Sequence, residues 1–243
     1  MLEVGAGGAA VELRRGARLA PRVLHRSADG VVHAAFVPTQ AGPLAGDEDR
    51  ARIVVGPGAT LIVEPVAATL ALPGAARTLL ALDITVRAGG RLVLDEAPLI
   101  VAAGAFVERR LTLALEQGAT AALRETVVLG RDGELPGTLD STTRATLAGR
   151  PLLHDGLRLG PGRADEHVAL APGHRVVATV AVLGVAPVGE RPGALALQRP
   201  GALLRSTGES LAAVEFSLAR TWRSWSGLRA AAHDAQPTAA LRA

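Results

Sequence analysis

Three copies of one short design, about thirty residues apart, constrain this chain more than any other feature of it. IVVGPGATLIVEP (53–65), ITVRAGGRLVLDE (84–96) and LALEQGATAALRE (113–125) each run an apolar strand into a turn glycine, then a small residue, then a second apolar strand ending in acid. The turn glycines Gly58, Gly89 and Gly118 lie 31 and 29 residues apart. Copies at this period stack so that equivalent strands pair, which buries faces that one copy could not bury alone. The spacing predicts a mainly β protein whose centre is a stacked, β-helix-like sheet assembly. An ordinary sandwich whose turns happen to be similar is the alternative.

The rest of the chain keeps the same rhythm. Thr78 to Arg87 alternates Leu80, Leu82, Ile84 and Val86 with Ala81, Asp83, Thr85 and Arg87. Similar strand-like segments surround Val31–Val37, Leu92–Leu94, Leu111–Leu115, Leu123–Leu129, Val176–Leu183 and Leu195–Leu197, separated by Gly- and Pro-rich turns. The C-terminus breaks the pattern. Ser206 and Glu209 have capping-box spacing. Leu211, Val214, Leu218, Trp222 and Trp225 then follow as one helical stripe, and Gly227 suits a C-terminal stop. The expected organisation is a mainly-β domain over 1–205, a helical segment over 206–236 packed on it, and a tail over 237–243. Phe216, Arg220 and Arg223 project from the side opposite the stripe, either onto a second packing surface or onto a protein partner.

Composition excludes several classes. Hydrophobic residues make up 49% of the 243 and charged residues 20%, which rules out a disordered chain. With no cysteine there is no disulfide framework, thiolate zinc site or cysteine nucleophile. The pI near 10.9 suggests nucleic acid, but every cation is arginine and the net charge is only +3. Aromatic content of 2% leaves no stacking platform for single strands, so no nucleic-acid partner is expected. No apolar run approaches the roughly 20 residues that cross a bilayer. The N-terminus has neither a basic n-region nor a continuous h-region, so a cytoplasmic protein without a membrane partner is expected.

Nucleotide-binding loops and serine-hydrolase elbows are absent. The six histidines form no HxH, HxxxH or HExxH set, so no pre-built metal site of conventional spacing and no tightly bound cofactor is expected. One carboxylate pair stands out. Glu96 shares strand parity with Leu92 and Leu94, and Glu125 shares it with Ala121, Leu123, Val127 and Leu129. Both follow their turn glycine by seven residues, so stacking puts both acids on the apolar side of neighbouring strands. Isolated charges there are expensive. Three arrangements are physical: a structural cluster with arginine (Arg109 or Arg124), a hydrophilic cation-contacting passage, or a paired-carboxylate site of glycosidase type.

Five segments, in order, resemble a known family. Gly42-Pro43-Leu44-Ala45-Gly46-Asp47 is similar to a glycine-rich GG-x-x-x-GD segment, and Val66 to Leu70 to a Q-A-A/S-T-K stretch. Leu92 to Ala105 resembles L-x-W-L-P-Q-E…GA. Glu125 to Glu134, ETVVLGRDGE, resembles E-x-x-x-LGR…GE, and Gly149 to Leu153 resembles G-x-PLL. The family is urease accessory protein D, also called H, and the similarity runs from about Leu19 to Leu159. Val66 and Leu70 stand where the family has Gln and Lys, which leaves Asp47, Glu125, Arg131 and Glu134 as the best carried-over positions.

The resemblance implies a β-helical fold with a small helical part, and a maturation scaffold rather than an enzyme. Its implied partners are apo-urease, a helical urease accessory protein and a nickel-delivering GTPase. Nickel would be met only transiently, and Glu96, Glu125, Glu134 and Asp47 are the candidate carboxylates of its path. Phe216, Arg220 and Arg223 are the candidate partner-binding residues. The competing readings are a β-helical carbohydrate-active enzyme using Glu96 and Glu125, and a plain oligomerising β protein.

Overall fold

The computed structural model describes residues 1–16, 18–161, 173–189 and 191–227. Its centre is the predicted stack. In the first coil β5 (Glu48–Val55) turns at Gly58 into β6 (Thr60–Val63) and continues to β7 (Thr69–Ala71). The second coil repeats this as β8 (Thr78–Val86), β9 (Arg91–Asp95) and β10 (Leu99–Val101). The third merges the last two strands into β12 (Thr120–Leu129), after β11 (Phe106–Leu115). Equivalent strands pair in parallel and in register, so Ile53, Ile84 and Leu113 form one ladder and Val63, Leu94 and Leu123 another. The turn glycines sit at φ 63, 64 and 72, where a side chain would be strained. Each turn also bonds to the next: Gly58 N–H donates to Ala88 O at 3.1 Å and Gly89 N–H to Gln117 O at 3.2 Å.

The stack belongs to two facing sheets. A seven-stranded sheet adds β1 (Leu2–Val4) and β2 (Val11–Leu13) on one side, and β13 (Thr138–Leu147) with its antiparallel hairpin partner β14 (Arg150–Leu159) on the other. The opposite sheet adds β3 (Leu19–Arg26) and β4 (Val32–Pro38) at one end. At the other end it adds β15 (Val176–Leu183), β17 (Gly201–Gly208) and β16 (Leu195–Ala196). Leucine, isoleucine and valine ladders fill the space between the sheets.

Every residue of β15, VVATVAVL, is buried. Such a continuous apolar run suits a strand covered on both faces. Val177, Ala181 and Leu183 face the opposite sheet. Val176, Ala178, Val180 and Val182 face the single α-helix among the described residues, α1 (Leu211–Ser226). The predicted stripe is the packed side: Val214, Leu218, Trp222 and Trp225 are buried and Leu211 packs against them. Burial of this kind contributes about 1.5–3 kcal/mol per large side chain. The predicted C-terminal stop holds, with Gly227 in the left-handed region. The cap does not. Ser206 lies within β17, where strand pairing uses its backbone. Ser210 is the N-cap, its hydroxyl accepting from Ala213 N–H at 3.1 Å. The end of the expected helical segment, to 236, and the tail over 237–243 lie outside the described residues.

Candidate functional site

Strand parity decides where the charged residues go. Arg109 shares a face of β11 with Leu111, Leu113 and Leu115, so it points from the seven-stranded sheet toward the other one. It is only 8% exposed. There it meets both predicted carboxylates. Its guanidinium pairs with Glu96 through Nη2 and with Glu125 through Nη1, the latter at 2.7 Å. Ser141 and Thr143 hydroxyls, on β13, stand 3.4 and 3.5 Å from Nη1. Glu96 and Glu125 are thus brought together as the repeat register requires, on one shared cation. Arg124, the other candidate partner, is one residue out of phase and faces away. It grips Asp95 with two bonds of 2.7 and 2.6 Å and stacks on Trp222, 5.2 Å from the ring centre.

A second ion pair continues the band. Arg205, on β17, meets Asp155 of β14 at 2.5 Å and donates to Thr179 Oγ1 at 3.1 Å. This polar seam separates two apolar clusters, one around Leu111, Leu113, Leu94 and Leu123 and the other around Val107, Leu99, Val127 and Leu139. Burial raises the Glu125 carboxyl above its ordinary value, and Arg109 opposes that rise. On Arg109 burial weighs against the charge, but Glu125 and Glu96 outweigh it and hold the proton more firmly. The pair is therefore kept ionised only by mutual neutralisation.

The cluster divides two spaces. On one side lies a cleft of about 200 Å³, bordered by Arg18, Asp49, Glu64, Glu96, Arg109 and Glu125. On the other is a cavity of about 20 Å³, room for about one water, bordered by Asp155, Thr179 and Leu153 as well as the same three residues. The motif segments singled out in the sequence converge here. Gly42 and Pro43, Val66 to Ala67, Leu94 to Ala97 and Glu125 to Val127 all line the cleft, and Leu153 lines the cavity behind it.

The remaining candidates are placed elsewhere. Asp47 closes its own turn, accepting from Leu44 N–H at 2.6 Å, and pairs with Arg18 at 2.9 Å. Arg18 also pairs with Asp49 at 3.0 Å and lines the cleft, so Asp47 touches the site through one residue. Glu134 does not join it. It accepts from Arg131 Nε at 2.7 Å and from Arg131 N–H at 2.9 Å, tying the loop after β12 to itself. The Arg131 hydrogen bonds, side chain first, lower the Glu134 pKa to about 2. Phe216, Arg220 and Arg223 are exposed on the outer side of α1, Phe216 at 84%. Sequence reading missed Asp155, Arg205, Arg18 and Asp49, whose placement depends on pairings between distant strands. It also missed a cluster of His25, His33 and Glu64, whose donor atoms lie within 4.8 Å of one another.

The arrangement offers carboxylates held by arginine, with both tryptophans packed under the helix rather than in the cleft. No helix among the described residues is long and apolar enough to cross a membrane. Comparison with known proteins agrees with the convergence of motifs. The profile of the UreD urease accessory protein matches residues 4–242. Urease accessory protein UreD 1 of Streptomyces griseus is 39% identical over 216 residues, covering 88% of this chain and 84% of that protein. The UreD proteins of Parafrankia sp. and Streptomyces coelicolor are 36% and 34% identical, each over 84% of this chain and over 79% and 78% of their own lengths. These relatives bear the name of accessory proteins, not of enzymes. With its repeat, its stacked sheets and a match over nearly its whole length, the chain belongs to the UreD urease accessory protein family.

Proposed function

We propose that this chain is a urease maturation scaffold, required for nickel incorporation into apo-urease. It acts in a complex with a helical accessory protein and a nickel-delivering GTPase. The observation that carries the reading is the convergence of the motif segments on one cleft floored by Glu96, Arg109 and Glu125. Carboxylate oxygens are hard ligands that bind nickel less firmly than imidazole or thiolate, which suits a path rather than a store. Arg109 neutralises both acids while no cation is passing, and a divalent ion competes with it for the same oxygens. Asp47 acts on this path through Arg18, and Glu134 braces a corner of the stack. The Phe216, Arg220 and Arg223 face supplies the partner surface: an exposed aromatic flanked by arginines suits the centre of an interface.

Deleting the gene is expected to leave urease subunits at normal levels with nickel-poor, inactive enzyme. Normal nickel content in that strain overturns the reading. Within the chain, Glu96→Gln with Glu125→Gln is expected to lower nickel per urease active site at limiting nickel. Phe216→Ala with Arg220→Ala is expected to weaken complex recovery by about tenfold or more, each hot-spot truncation costing about 1 kcal/mol or more, with the free protein still folded.

A further inference from the structure

We infer that His25, His33 and Glu64 form a surface site for a divalent first-row transition ion that shares no residue with the Glu96–Arg109–Glu125 cluster, although Glu64 also borders the cleft. A bulge creates it. The β3–β4 ladder runs Arg22↔Ala35 and Val23↔Ala34, then slips one residue so that His25, not Leu24, stands opposite His33. Bulges re-aim side chains in this way. On the other side β4 pairs with β6 in parallel, His33↔Ile62, so Glu64, two residues on, points to the same face as His33. That is the outer face of the sheet, the one on which α1 packs mainly over β12, β15 and β17.

The chemistry fits the class. Two imidazoles and one carboxylate select zinc, nickel, copper or iron over magnesium or calcium. Metal–nitrogen and metal–oxygen bonds of about 2.0–2.2 Å hold donors about 3–4 Å apart around one ion. Here all three donor atoms lie within 4.8 Å. His33 Nδ1 and Glu64 Oε1 already stand 2.5 Å apart, and an ion between them replaces their hydrogen bond. The two rings stack with centroids 3.9 Å apart, so His25 must turn about its side-chain torsions to aim a lone pair inward. His25 is exposed at the sheet edge and has the room to do so. The site needs no urease and no partner.

The test is Ni²⁺ equilibrium dialysis of the purified full chain, with and without excess Mg²⁺. The parent is expected to hold one Ni²⁺ that Mg²⁺ does not displace. Affinity is expected to fall about tenfold or more in His25→Ala and in His33→Gln, and less in Glu64→Gln, in line with the weight of lost ligands. Glu96→Gln with Glu125→Gln should keep this equivalent, which separates the site from the interior carboxylates. Binding within twofold of the parent in His25→Ala overturns the inference, as does ready displacement by Mg²⁺. His25→Ala decides the matter even if His33→Gln does not fold, because His25 is exposed.

Discussion

Two arginine–glutamate pairings in this molecule are built from the same groups and behave in opposite ways. Glu125 meets Arg109 between the sheets, where burial dominates and raises its pKa. Glu134 meets Arg131 on a loop after β12, where hydrogen bonds dominate and lower its pKa to about 2. The partner is arginine in both cases, so surroundings alone decide the sign. The outer pair is content as it is. The inner one keeps its charge only because a single guanidinium serves two carboxylates.

Breaking the inner arrangement has the largest expected effect. Arg109→Met leaves Glu96 and Glu125 facing each other without a counter-ion, and should cost about 3–5 kcal/mol in denaturant unfolding. The triple variant Arg109→Met, Glu96→Gln, Glu125→Gln should be more stable than Arg109→Met alone. A triple variant no more stable than the single means that the acids were not stranded. Glu125→Gln alone keeps Glu96 on Arg109 and should cost about 1.5–3 kcal/mol, the range for a hydrogen bond to a charged group.

Acidity sharpens the contrast. Glu125 binds its proton more tightly folded than unfolded. Its contribution is therefore full below the ordinary glutamate value of about 4.3 and is lost as pH rises through its raised value. Glu134 runs the other way, contributing above about pH 4.3 and losing it as pH falls toward about 2. In urea midpoints measured from pH 3 to 7, Glu125→Gln should reduce the decline on the alkaline side. Glu134→Gln should reduce the decline on the acid side, with its whole effect present at pH 7 and fading as pH falls toward about 2. The same pH dependence in both variants would erase the distinction between the two regions.

Much of this was legible in the chain. The turn glycines set the register, and parity put Glu96 and Glu125 on the inward side. The choice between Arg109 and Arg124 was legible too: Arg109 is in phase with Leu111 and Leu113, whereas Arg124 is one residue out of phase with Glu125. The pairing of Asp155 with Arg205 was not. It depends on how β14 closes on β13 and on β17 pairing with β15, contacts between segments far apart whose partners no local period names. The meeting of His25 and His33 was hidden for another reason, because an even alternation places Leu24 there and only the bulge moves it. The cap was misplaced because Ser206 and Ser210 are both acceptable to the helix, and strand pairing claimed the first.

The rims of the two sheets carry one more consequence. A stack of parallel coils presents bare amide and carbonyl rows at its ends, a template on which further strands can grow. Here the described rims are blunted. β2 has three residues and β16 two, β3 carries Pro21 and the bulge, and β14 carries Arg150 and Pro151 beside a bulge of its own ladder. Growth by strand addition is discouraged at each of them. Assembly through these rims would have to overcome those devices, whereas assembly through the sheet faces is written in residues that substitution can edit one at a time, not in backbone that every sequence shares.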